Sequence, residues 1–99
     1  MDTRFVNVVV KGDSMWPTLS AGSTVRFERV EAEALEAGQV VLLDHPFRPD
    51  LRIIKRIQSI DEDRIFVVGD NPDPTASEDS HDFGKVSASL VLAVLSNQN

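Results

Sequence analysis

Six short apolar segments, separated by Gly, Pro and Asp, divide the 99-residue chain and constrain its fold more than any other feature. They are rich in Val, Ile and Phe, which favour β-strands. Along 24–30, for example, Val25 and Phe27 face one way and the polar residues between them face the other. The six segments are 5–10, 24–30, 39–44, 51–57, 64–70 and 89–95. This pattern predicts an all-β domain, a small coiled sheet or partly open barrel.

Helical structure is expected in one place. Residues 31–38 contain good helix formers and a closing glycine. Their apolar face is no wider than Leu35, so we expect a helical turn or two at most. Residues 69–82 form the longest polar loop, and long structured loops in compact domains usually carry function. Because the chain is too short for two independent cores, we expect a single domain over 1–99.

Composition excludes several classes of function. The absence of cysteine removes disulfides, thiolate metal sites and cysteine nucleophiles. His45 and His81 lack the spacing of metal ligands, so no metal site and no cofactor are expected. The net charge is −6 and the ten basic residues are scattered, which argues against nucleic-acid binding. No apolar run approaches the ~20 residues that span a bilayer, and the start lacks the apolar region of a secretory signal, so we expect a soluble, cytoplasmic protein without a membrane span.

A serine and a lysine are the candidates for chemistry. "GDSMWPT" (12–18) places Ser14 in a turn, which by itself is an ordinary loop feature. In "LRIIKRI" (51–57), alternation places Lys55 on the face that carries two isoleucines. Either the stem of Lys55 covers the core while its amine reaches water, or the amine is buried and its pKa falls from about 10.4. In the second case a neutral lysine can take the proton of a serine hydroxyl.

Three sequence blocks occur in an order that resembles a known family. "GDSMWPTLSAGSTV" (12–25) resembles the serine box of the signal peptidase I and LexA-type Ser/Lys proteases, and "IIKRI" (53–57) resembles their lysine box. "GDNPDPTASEDSHDFGKV" (69–86) is similar to the Gly-Asp-Asn block that follows in signal peptidases. Together the blocks cover most of the chain, and their order is more specific than any single block.

The resemblance implies a catalytic set. Ser14 would be the nucleophile and Lys55 its general base, and Ser77 matches the family serine whose hydroxyl helps to hold the lysine amine. The oxyanion hole would use backbone N–H groups at the serine turn. Many signal peptidases add a hydroxyl two residues before the nucleophile, but that position is Gly12 here. The N–H of Asp13, together with that of Ser14, is therefore the expected oxyanion donor, as in the LexA-type arrangement.

The resemblance also implies charged residues that support the site. Asp70 and Asp79 match acids that brace it by salt bridges, and Arg56 is an expected partner. His81 stands where the family often has arginine, so that brace is expected to be weaker or dependent on pH.

Four further residues flank the candidate site in the sequence. Gly69 and Asn71 are expected to shape the turn without taking part in the chemistry. Met15 and Trp16 are candidates for the substrate groove, and for Trp16 a place in the core stays open as an alternative.

The type of protease is also a matter of resemblance. Signal peptidase I is membrane-anchored, and a self-cleaving LexA-like switch needs a cleavable arm, whereas only 13 residues precede Ser14. With Lys55 and Gly69 only 14 positions apart, the chain most resembles the small nickel-type superoxide dismutase maturation proteases. That resemblance implies a serine endopeptidase that removes a short N-terminal propeptide from the nickel superoxide dismutase precursor. Processing of another precursor, a non-catalytic peptide-binding module and, least favoured, a nucleic-acid-binding barrel are the alternatives.

Overall fold

A computed structural model describes residues 4–96 of the chain. Its strands are β1 (Phe5–Val9), β2 (Thr24–Glu28), β3 (Val40–Asp44), β4 (Arg52–Asp61), β5 (Arg64–Val68), β6 (Val86–Ser87) and β7 (Val91–Leu95). They form one antiparallel sheet in the order β1-β2-β7-β3-β4-β5-β6, curled into a half-barrel. The predicted all-β, partly open barrel is confirmed, and each of the six predicted segments contains a strand. The two-residue β6 is too short to leave a pattern in the sequence.

Helical structure is limited to short turns in the described part of the chain. A 3₁₀ helix at Ala32–Ala34 confirms the turn expected there, and a second 3₁₀ helix spans Ala88–Leu90. The α-helix α1 (Ser80–Phe83) was not predicted. It begins at a capping box in which Asp79 and Asp82 accept each other's backbone N–H groups. None of the helices between residues 4 and 96 is long and apolar enough to cross a membrane.

The central strand β3 is buried on both faces, which explains its uninterrupted apolar run. Val41 and Leu43 belong to one core cluster, whereas Val40 and Leu42 belong to a second. The first core cluster consists of Leu35, Val41, Leu43, Ile57, Ile65, Val67, Val86, Ala88 and Val94. The second core cluster consists of Val10, Met15, Leu19, Phe27, Val40, Leu42 and Ala93. Burial on two faces removes the polar alternation that a half-exposed strand shows.

Two neighbouring cations of strand β4, Lys55 and Arg56, lie on opposite faces, because successive side chains alternate. Lys55 is paired with Val41 of β3, a residue of the first core cluster. Arg56 is paired with Val68 of β5. Strand β5 ends at Val68, so the segment that begins at Gly69 starts directly after the residue paired with Arg56.

Candidate active site

The serine turn connects β1 and β2 and is anchored in the core. The Trp16 N–H donates to the Asp13 carbonyl at 3.1 Å, and the Leu19 N–H donates to the Met15 carbonyl at 2.9 Å. Met15 and Leu19 are buried in the second core cluster. Ser14, between exposed Asp13 and buried Met15, is therefore partly buried on a turn with a fixed backbone.

The segment after β5 supports this turn directly. The backbone N–H of Asn71 donates to the Ser14 carbonyl at 2.9 Å, and its Nδ2 donates to the Asp13 carbonyl at 2.8 Å. A Cβ atom at Gly69 would lie 2.7 Å from the Ser14 carbonyl oxygen, closer than real Cβ contacts. Gly69 and Asn71 thus shape the turn, as expected, and Gly69 is required here for close approach.

Asp70 joins the serine turn to β4. Its carboxylate accepts hydrogen bonds from Arg56 Nε at 2.8 Å and Nη2 at 2.7 Å, and from Thr18 Oγ1 at 2.5 Å. Arg56 Nη1 also donates to the Gly38 carbonyl at 2.6 Å. The hydrogen bonds from Arg56 lower the pKa of Asp70 despite the opposing effect of burial, and the same contact raises the pKa of Arg56. Arg56 and Asp70 therefore form a bidentate ion pair.

Lys55 has a different environment. Its side chain is 1% exposed, and Nζ donates a hydrogen bond to Ser77 Oγ at 2.5 Å. Within residues 4–96 no carboxylate lies within 4.0 Å of Nζ. Burial lowers the pKa of Lys55 from 10.5, and the more distant charges of Asp79, Asp82 and Glu78 oppose this only in part. The amine is thus buried, as one of the two interpretations of the sequence required, and burial makes its neutral form easier to reach than in a lysine exposed to water.

Asp79 supports the loop that carries Ser77. It accepts the backbone N–H of His81 at 2.8 Å and that of Gly69 at 3.3 Å, and His81 Nδ1 lies 2.9 Å from it. Burial raises the pKa of Asp79, but the hydrogen bonds from His81 and Gly69 together bring it below its ordinary value. Asp79 therefore ties the start of α1 to the end of β5, and the His81 ring is its side-chain partner.

A groove of about 750 Å³ brings the predicted catalytic residues together. Ser14, Lys55 and Ser77 all line it, as do Asp13 and Met15. Its lining also includes apolar residues of β1, β3 and β4, namely Val6, Val8, Val9, Leu42, Ile53 and Ile54. Trp16 is 50% exposed and is not part of the lining.

Two backbone donors are available at the serine. Within residues 4–96 neither the N–H of Asp13 nor that of Ser14 takes part in a hydrogen bond. The preceding Gly12 has a φ of 72°, a left-handed conformation that favours glycine. Free backbone N–H groups are the kind of donor that an oxyanion hole uses.

The comparison with known families agrees with this geometry. The model of the family described as Peptidase S24-like matches residues 2–86, a range that contains Ser14, Lys55 and Ser77. The chain belongs to the Peptidase S24-like family. The predicted membership in the LexA and signal peptidase superfamily is thereby confirmed, and a serine peptidase fold is shown. No match was found among curated proteins.

The site of this Peptidase S24-like chain contains one residue that sequence analysis missed. His45, 5% exposed, lines the groove at the end of β3, and its Nε2 lies 3.3 Å from Glu78 Oε1. The sequence offered no signal for this contact, because a single histidine after a strand has no diagnostic spacing. Among residues 4–96, no group of three or more His, Asp or Glu side chains is arranged to hold a metal ion.

Proposed function

We propose that this chain is a serine endopeptidase in which Ser14 is the nucleophile and Lys55 is the general base. The observation that carries the proposal is the burial of the Lys55 amine, without a nearby carboxylate, in the groove that Lys55 lines together with Ser14. The amine is buried, has one hydroxyl partner and lies beyond 4.0 Å from every described carboxylate. A lysine held only for structure would be expected to reach water or an ion-pair partner.

The hydrogen bond to Ser77 gives the Lys55 amine an orientation. Nζ donates to Ser77 Oγ in the described part of the chain. A neutral amine can donate one N–H to Ser77 and keep its lone pair for the proton of the Ser14 hydroxyl. Ser77 is thus proposed to orient the lysine.

The mechanism is acyl transfer. Ser14 Oγ attacks the scissile carbonyl carbon while its proton passes to Lys55 Nζ, and the backbone N–H groups of Ser14 and Asp13 bind the oxyanion. Collapse of the tetrahedral intermediate breaks the C–N bond, and Lys55 returns the proton to the leaving amine. Water then attacks the acyl-enzyme, Lys55 takes one of its protons, and Ser14 Oγ leaves with that proton.

The position of the groove supports an extended peptide as substrate. β1 lies at one end of the strand order, with β2 on its only paired side among the described strands, and Val6 and Val8 of β1 line the groove. An open strand edge can accept backbone hydrogen bonds from an added strand. We propose that Met15 forms part of the groove wall. We also propose that the exposed Trp16, which does not line the groove, contacts the part of the substrate that extends out of it.

We further propose that the substrate is the precursor of a nickel superoxide dismutase, processed in the cytoplasm by residues 1–99 acting as one domain. This rests on the resemblance of 69–86 and on the short interval between Lys55 and Gly69.

The test is incubation of that precursor with the wild-type chain and with Ser14→Ala, followed by intact mass spectrometry. Loss of one N-terminal fragment with the wild type alone supports nucleophile and substrate together. If the wild type cuts a peptide library but not the precursor, the substrate proposal fails and the chemistry stands. If the wild type cuts neither, the non-catalytic peptide-binding module is the better description.

A further inference from the structure

We propose that His45 is a positioning residue, which fixes the segment carrying Ser77 through Glu78 and thereby holds the Lys55 amine in place. This inference rests on the proposed function and adds to it a residue that has no counterpart in the serine and lysine blocks of the sequence. A histidine that binds through Glu78 does not take the proton itself, so the proposal leaves Lys55 as the base.

The surroundings of His45 determine which ring nitrogen carries the proton. Nδ1 accepts the backbone N–H of Phe47 at 3.1 Å, so Nδ1 has no proton in this arrangement. In the neutral ring the proton is then on Nε2, which donates to Glu78 Oε1 at 3.3 Å. The Phe83 ring packs edge-on against His45, with the ring centroids 5.3 Å apart. The ring is therefore fixed on three sides and aimed at Glu78.

The loop before α1 carries Ser77 and is held in place by side-chain contacts. Ser77 lies in a stretch without strand or helix, and its hydroxyl is occupied by the lysine. On its C-terminal side, Asp79 is tied to the N–H of Gly69. Glu78, immediately after Ser77, is tied to the buried ring of His45. The two residues that follow Ser77 are thus each hydrogen-bonded to a different part of the fold, Glu78 to His45 after β3 and Asp79 to Gly69 after β5.

The other contact of Glu78 is weaker. Arg48 Nη2 lies 3.9 Å from Glu78 Oε1, with both side chains more than half exposed. Exposed pairs at that distance contribute little. The His45 contact is shorter and one partner is buried, so it is the contact expected to set the position of the loop.

Matched variants separate the two ring nitrogens. In His45→Asn, the side-chain oxygen can still accept from Phe47 but the donor to Glu78 is lost; in His45→Gln, a donor can still reach Glu78. We expect kcat to fall about tenfold in His45→Asn, the size of one lost hydrogen bond, with KM within about twofold. His45→Gln should restore part of this loss. Glu78→Ala should lower kcat as His45→Asn does, and the double variant should lose no more than either.

The control is Glu33→Ala, an exposed residue of the first 3₁₀ helix, which should have the wild-type kcat. Glu78→Gln adds a second readout, because it keeps an acceptor for His45 and removes a charge that raises the pKa of Lys55. The acid limb of its kcat profile should therefore move to lower pH, which a purely structural change would not cause.

Nuclear magnetic resonance provides readouts that need no activity. The chain has two histidines and three lysines, so isotope labelling of each type gives few signals. We expect His45 in the form protonated at Nε2, and we expect the Lys55 signal to change in His45→Asn but not in Glu33→Ala. A His45 ring protonated at Nδ1, an unchanged Lys55 signal, or a raised KM with unchanged kcat in His45→Asn would each overturn the inference. If the wild type does not cleave any peptide, the proposed function fails on its own, and the same spectra still decide whether His45 positions the Ser77 loop.

Discussion

The two neighbouring cations of β4 show how one strand supports two different tasks. Lys55 is 1% exposed and its Nζ has one partner among the described residues, the Ser77 hydroxyl, whereas the Arg56 side chain is 35% exposed and is bound by Asp70 and the Gly38 carbonyl. The pKa of Lys55 is lowered by burial and that of Arg56 is raised by its carboxylate. A buried cation without a counter-ion tends to lose its proton, while a paired cation becomes a fixed brace.

The two faces meet at the segment that follows β5. Gly69 allows the Ser14 backbone to approach closely, and Asp70, the next residue, connects Arg56 to Thr18 of the serine turn. The proposed base and the arginine that braces the serine turn are thus adjacent residues of one strand. Substitutions that affect one face and spare the other can test this division.

The largest effect is expected for Lys55→Met, which keeps the apolar stem and removes the amine. Cleavage should fall by about 10⁴-fold, as when one member of a catalytic unit is lost. The free energy of unfolding should stay the same or rise, because no poorly solvated amine remains buried. Initial rates and urea unfolding measure the two quantities. A variant that keeps a tenth of the wild-type rate would falsify the assignment of the base.

The pH dependence of cleavage should report the titration of Lys55, whereas Arg56 stays charged throughout. Protonated Lys55 cannot accept the serine proton, so the rate should rise about tenfold per pH unit and level off at a pKa below 10.5. Rates of the wild type across pH, with folding checked by circular dichroism at each point, measure this limb. A rate that is flat from about pH 6 to 10 contradicts a titrating base in that range.

Gly69→Ala should lower the rate about 100-fold, because the new Cβ atom would meet the Ser14 carbonyl oxygen and displace Ser14, the proposed nucleophile. The matched control is Gly22→Ala, where φ is 90° but no atom lies within 4 Å of the added Cβ. That control should lose about 1–2 kcal/mol of stability from backbone strain and keep its rate when folded. Equal rates in the two variants, measured on folded protein, would show that the close approach is unimportant.

The smallest effect on cleavage is expected for Arg56→Met, whose main consequence is lost stability. Asp70 would lose its charged partner, and the free energy of unfolding should fall by about 2–3 kcal/mol. Arg52→Met on the same strand is the control, because within residues 4–96 Arg52 has only an exposed contact with Asp44 at 3.8 Å, and the variant should lose less than about 0.5 kcal/mol. Urea unfolding of both variants makes the comparison. Similar losses would mean that Arg56 is an ordinary surface charge.

Much of the fold could be predicted from the sequence. Alternation and turn residues are local properties, and they located a strand in each of six segments and the helical turn at Ala32–Ala34. The order of three motif blocks also indicated the family. The capping box at Asp79 and Asp82 is visible in the sequence as well, but a single turn of helix leaves no periodicity to detect.

The tertiary structure decided what the candidate residues are doing. The sequence left two interpretations of Lys55 open, and burial against Val41 of β3 with a bond to Ser77, 22 positions away, selected one. Asn71 reaches Asp13 across 58 positions, and His45 reaches Glu78 across 33. The alternation of apolar and polar residues along a segment indicates only which face of a strand is buried. The approach of distant loops depends on how the sheet curls, so the environment of the amine, the reason for Gly69 and the contact of His45 emerged only from the folded chain.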